Sequence, residues 1–141
     1  MKKVRRAEKL HALRQRALDQ ALARRAAADA DAARAAARAD DAAGDVVRAA
    51  SEADAVADAA DLEWRSSYVE TLRKRAERER RASEDAAAFA ERERLATIEA
   101  HRAERVADTL AGNARADIAR HEARLERRAS DERAARKGGR T

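Results

Sequence analysis

Ala32-Ala-Arg-Ala-Ala-Ala-Arg-Ala-Asp-Asp-Ala-Ala-Gly-Asp-Val46 is the stretch whose periodicity decides the fold. Stepping alternately by four and three from Ala32 lands on Ala36, Ala39, Ala43, Val46, Ala50, Ala53, Ala57, Ala60 and Trp64 without meeting a polar residue. That is a heptad seam, the pattern of a helix packed against another helix. A second run steps from Ala82 through Ala86, Phe89, Glu93, Ala96, Ala100, Ala103, Ala107, Leu110 and Ala114, with Glu93 its only polar member. Between the runs, Val69, Leu72 and Ala76 read as a face rotated away from both seams. Before them, Leu10, Leu13, Ala17, Leu18, Ala21 and Leu22 form a broad apolar face.

Composition agrees with the periodicity. Of 141 residues 42% are charged, 45% are apolar, and alanine makes up two thirds of the apolar set. Too few bulky side chains remain for a compact core of ordinary thickness. Alanine, arginine and glutamate lose least on entering a helix, proline is absent and glycine occurs 4 times, which favours long helices over disorder. An alanine seam removes little apolar area, so at about 25 cal/mol per Å² it contributes far less than a leucine seam.

The expected fold is all-α: two long helices forming an antiparallel coiled-coil hairpin. A single helix of this length would approach roughly 200 Å at about 1.5 Å per residue, and two seams joined by a differently facing segment imply a return. Helix 1 is expected over about residues 3–52, the turn over about 53–61, helix 2 over about 62–136, and a frayed tail over 137–141. Asp54, Asp58 and Asp61 are the cap candidates for the second helix, Gly44–Asp45 is a rival turn, and Gly112–Asn113 is a weak point of the second helix.

Charge is unevenly distributed. Residues 1–16 carry seven bases and one acid and residues 120–141 eight bases and four acids, whereas residues 17–63 carry five bases against eleven acids. An antiparallel hairpin is expected to bring the two basic ends together as one pole. The absence of cysteine excludes disulfides, thiolate zinc sites and a cysteine nucleophile. His11, His101 and His121 are far apart and read as surface residues, and no phosphate loop occurs, so no cofactor and no catalysis are expected. Neither a membrane-spanning stretch nor a signal peptide is recognisable, which points to a cytosolic protein.

A pI near 10.2 makes a nucleic-acid-associated coiled coil the rival reading, although both basic ends lack aromatic residues for stacking. A homodimeric structural coiled coil and a membrane-surface helix over residues 4–22 are further alternatives. Trp64 is expected to close the hairpin by packing on the first helix. Tyr68 and Leu72, four residues apart, project from one side of the second helix and are expected to face solvent as a protein-binding surface, and Leu95 and Ile98 are expected to be exposed as well.

At this cluster the chain resembles a known family. Leu62-Glu-Trp-Arg-Ser-Ser-Tyr68-Val69-Glu-Thr-Leu72 looks like the segment that follows the turn in the FliJ family of flagellar export stalk proteins. The basic, then leucine-bearing start from Met1 to Leu10 and the ending Ser130-Asp-Glu-Arg-Ala-Ala-Arg-Lys137 are similar as well. The resemblance implies a non-enzymatic cytoplasmic stalk of bacterial type III export, peripheral at the inner membrane through its partners. Those partners would be a hexameric export ATPase, the cytoplasmic domain of the export gate protein, and export chaperones. It implies gate binding at Tyr68, Val69, Leu72 and Arg75, the last departing in character from the family, and ATPase-ring binding at Arg5, Arg6, Arg14, Arg128 and Arg133. The injectisome counterpart, YscO, fits the same residues.

Overall fold

In the computed structural model, which describes residues 1–55 and 58–139, two helices take up nearly all of the described chain: α1, Lys2–Asp54, and α2, Ala59–Gly138. Val56 and Ala57, in the middle of the expected turn and including one member of the first seam, lie outside the described residues, as do Arg140 and Thr141 of the expected tail. The helices pack against each other as an antiparallel helical hairpin. They form two compact units, a terminal unit of Met1–Gln20 with Ile98–Thr141 and a turn-side unit of Ala21–Thr97.

The helix ends follow from local chemistry. The Asp58 carboxylate accepts a hydrogen bond from the Ala60 amide at 3.0 Å and its carbonyl accepts one from Leu62 at 2.9 Å, so Asp58 caps α2, with Asp61 adding negative charge to the first turn. Arg136 and Lys137 supply the complementary charge at the other end. Gly44 is helical and interrupts nothing, which removes the rival turn. A residue type permissive of turns does not force one where the flanking alanines and arginines favour helix.

The helices bury a different line of residues from the one the apolar steps trace. In α1 the buried alanines of the turn-side unit are Ala21, Ala28, Ala35, Ala42 and Ala49, seven apart, joined by Ala53. They alternate with the half-buried Ala32, Ala39 and Val46, so half of the expected first seam stands and the other half shifts by one residue: Ala36 and Ala43 are exposed. In α2 the same thing happens. Ala86, Glu93, Ala100, Ala107 and Ala114 keep their inward places, but the intervening positions are Ala90, Thr97, Glu104 and Ala111, while Ala82, Phe89, Ala96 and Leu110 face out.

Val69, Leu72 and Ala76 belong to this line and are not on a separate face. Val69 packs with Ala49 and Ala53 as a small core, against which Ala50 and Leu72 are partly buried. The N-terminal leucines also divide: Ala17 and Leu18 turn inward, whereas Leu10, Leu13 and Leu22 are exposed.

Thr97 fixes the register of the turn-side unit. It is 5% exposed, and its hydroxyl lies 2.8 Å from the Glu93 carbonyl of its own helix and 3.3 Å from the Ala21 carbonyl of α1, so one proton serves two acceptors. A side chain as short as threonine reaches a backbone carbonyl across the pair only because Ala21 has nothing beyond Cβ. Bridges from Arg24 to Glu93 and from Arg38 to Glu79 repeat the same register, both on exposed arginines.

Two substitutions test this packing. Ala21→Leu should destabilise the protein by roughly 1–3 kcal/mol, because the added atoms must push the helices apart and separate Thr97 from its acceptor. Gly44→Ala should do the opposite: a Cβ at Gly44 meets nothing within 4 Å, and the gain in helix propensity is about 1 kcal/mol or less. Thermal melts followed by circular dichroism read both.

Candidate functional site

The first turns of α2 display two large aromatic side chains. Trp64 and Tyr68 are 67% and 48% exposed and stack on each other, ring centroids 5.7 Å apart and planes 7° from parallel. Their spacing of four residues puts them on one ridge. Trp64 therefore does not fold back onto α1. The place it was expected to fill is taken by Val69 and Leu72, whose positions in the heptad point at Ala49 and Ala53, whereas Trp64 and Tyr68 fall on the flank.

The residues named from the resemblance thus separate. Tyr68 is exposed and Arg75, seven residues on, is exposed on the same flank; Val69 is buried at 5%, and Leu72 is half-buried in packing. Leu95 and Ile98 are exposed, at 54% and 37%. Trp64 is the surface residue that the sequence reading missed. The signal that could have found it is its spacing of four from Tyr68, which gives both residues the same outward direction. A rigid, stacked indole and phenol provide large apolar area at little rotamer cost, the usual make-up of a protein-binding anchor.

The helix that carries this pair is braced along its outer face. Arg73 pairs with Glu70, and Glu77 receives hydrogen bonds from Arg80 at 2.8 Å and Arg81 at 2.9 Å, with Arg80 also donating to Glu84. Hydrogen bonds from Arg80 and then Arg81 hold the Glu77 carboxyl down to about 2, from an ordinary 4.5. Lower on α2, Phe89 is exposed, with the Arg92 guanidinium 5.7 Å above its ring.

The arginines assigned to ring binding are all exposed but are not gathered in one place. The start of α1, Met1 to Val4, lies beside Ala114, Asp117, Ile118 and His121 of α2, and beyond His121 α2 continues without α1 alongside. Arg5, Arg6 and Arg14 stand on the paired part. Arg128 and Arg133 stand on the continuation, about 10 and 18 Å past His121 at 1.5 Å per residue. The expected single pole is therefore drawn out, because α2 is 80 residues long and α1 only 53.

His11 is not a plain surface residue. Its Nε2 lies 2.9 Å from Glu104 and 3.8 Å from Asp108 in the half-buried seam of the terminal unit, a polar pairing that stands where an apolar contact would otherwise be. Among the described residues no group of three or more His, Cys, Asp or Glu is placed to hold a metal ion, and no helix is long and apolar enough to cross a membrane. Comparison with known protein families, with curated proteins and with solved structures finds no match for this chain.

The Glu77 pairing has a defined pH dependence. A carboxyl held below its ordinary value contributes stability that is complete above pH 4.5 and lost as pH falls toward about 2. The contribution is small because the group is open to solvent and salt. In an NMR titration the Glu77 carboxyl should titrate well below 4.5, and the variant R80A/R81A should return it toward that value.

Proposed function

We propose that this protein is a non-enzymatic stalk of a bacterial flagellar type III export apparatus, linking a hexameric export ATPase to the cytoplasmic domain of the export gate and assisting export chaperones. The observation that carries the reading is the stacked, exposed Trp64–Tyr68 pair, which stands within the stretch, Leu62 to Leu72, where the chain resembles the FliJ family. In this reading the two-helix hairpin serves binding and not catalysis. In this reading Trp64, Tyr68 and Arg75 face the gate, and Val69 and Leu72 hold the helix that presents them. Arg5, Arg6 and Arg14, with Arg128 and Arg133 further along α2, face the ATPase ring, where acidic loops would attract them by electrostatic steering as well as contact.

The division between anchors and packing residues makes the reading testable. Replacing both Trp64 and Tyr68 with alanine should leave helicity and melting temperature close to the parent, since both rings are exposed and alanine is the best helix former. Affinity for the isolated gate domain should fall about thirtyfold or more, as expected for the loss of at least one interface anchor of about 2 kcal/mol. Stimulation of the ATPase should persist. Val69→Ala should show the reverse, a lower melting temperature with gate affinity retained below it. Gate binding unaffected by W64A/Y68A would end this assignment.

A further inference from the structure

Among the large apolar side chains that stand exposed in the terminal unit, Leu10, Leu13, Val106 and Leu110 form a group; Met1, Ile98 and Leu125 are exposed elsewhere on it. The four of the group lie on one side of the helix pair. Leu10 directly precedes the seam residue His11, and Leu110 directly precedes the seam residue Ala111. In antiparallel helices the residues just before equivalent seam positions meet on one flank, and those just after them meet on the other. The second flank is marked by the ion pair of Glu8 with Arg115, 3.1 Å apart, each just after a seam position. Leu13, three residues after Leu10, and Val106, four before Leu110, widen the first flank outward.

Bases border this apolar face on the α1 side, while on α2 the flanking acids Glu99 and Asp117 are paired with Arg102 and Arg120. Lys3 and Arg6 lie seven and four residues before Leu10, and Lys9 and Arg16 lie four before and three after Leu13, so helical spacing sets each beside a leucine. Among the described residues none of the seven bases of residues 1–16 takes part in an ion pair, in contrast to the arginines that pair along the turn-side unit. Fold stability does not account for them. Positive charge in the first turn of α1 opposes the helix macrodipole, and no acid stands in that turn to offset it. The terminal unit carries eighteen bases against ten acids, whereas the turn-side unit carries fourteen against seventeen.

We propose that this face docks on an anionic lipid bilayer, with Leu10, Leu13, Val106 and Leu110 entering the headgroup boundary and Lys3, Lys9 and Arg16 meeting lipid phosphates. An apolar centre within a basic frame is what such a surface rewards, since burial of the leucines and attraction of the bases act together. A nucleic-acid backbone would use the bases but gain nothing from the leucines, and the face has no aromatic side chain on which a base could stack. A second copy fits less well, because two such faces would oppose their own unpaired bases, and four side chains fall short of the roughly 800 Å² that each partner of a stable dimer contributes. This inference stands independently of the export-stalk reading.

The test uses the full chain and vesicles of phosphatidylcholine alone or mixed with an equal part of phosphatidylglycerol. Cosedimentation should show at least about tenfold tighter binding to the mixed vesicles, weakening as salt rises. K9E/R16E and L10Q/L13Q should each lower that binding about tenfold or more. Because the chain has no cysteine, Leu13→Cys accepts a single environment-sensitive dye, whose emission should rise on mixed vesicles and not on duplex DNA. The dye needs no loss-of-function variant, so it decides the matter even where a glutamine variant loses helicity by circular dichroism. Equal binding to both vesicle types, an unchanged dye signal on mixed vesicles, or duplex DNA binding that L10Q/L13Q leaves intact with no vesicle binding would overturn the proposal.

Discussion

The close approach of two helix backbones over alanine is the constraint on which the turn-side packing depends. Ala21, Ala28, Ala35, Ala42 and Ala49 present only a methyl group at every seventh position of α1. The facing helix then comes near enough for the Thr97 hydroxyl to reach a carbonyl of α1, and that contact is specific to one register. A shift of one residue toward the N-terminus would place Arg34, Asp41 and Arg48 in the seam. Alanine contacts are individually weak, so register rests on the geometry of approach and on a few polar contacts, and much of the helical stability comes from propensity and local ion pairs.

Thin packing of this kind has a consequence for function. Two helices cover only one face of each other, so any large apolar side chain outside the seam is left in water. Trp64, Tyr68, Phe89 and Leu95 in one unit, and Leu10, Leu13, Val106 and Leu110 in the other, are exposed for this reason. Exposed aromatic and leucine side chains cost solubility unless something covers them. The high charge content offsets that cost, and the placement of the charge differs by region. Along α2 near the turn, arginines and glutamates neutralise each other at helical spacing. In residues 1–16 the bases have no such partners among the described residues, and their charge remains available to an outside anion.

Much of the fold was legible in the sequence, and the site only in part. Two helices, their antiparallel return, an aspartate cap drawn from Asp54, Asp58 and Asp61, and the exposure of Tyr68 could be read from propensity, periodicity and spacing. Which alanines face inward could not. Alanine occupies both Ala35 and Ala36, both Ala42 and Ala43, and both Ala49 and Ala50, so an apolar step also exists one residue past the true seam. In α2 the true line passes through Glu79, Ser83, Glu93, Thr97 and Glu104, and a search for apolar continuity rejects it.

By itself the sequence determined that the chain is helical, that it has no core of bulky side chains, and that its bases concentrate toward the two ends. Those properties belong to composition and to the helical repeat, and no partner helix is needed to define them. Only the tertiary structure decided that Val69 and Leu72 pack while Trp64 and Tyr68 stack in solvent, and that Arg128 and Arg133 stand beyond the start of α1. The physical reason is that the inward face of an alanine-rich helix is set by what it packs against. When neighbouring positions carry the same small side chain, the polar contacts of the facing helix choose between them.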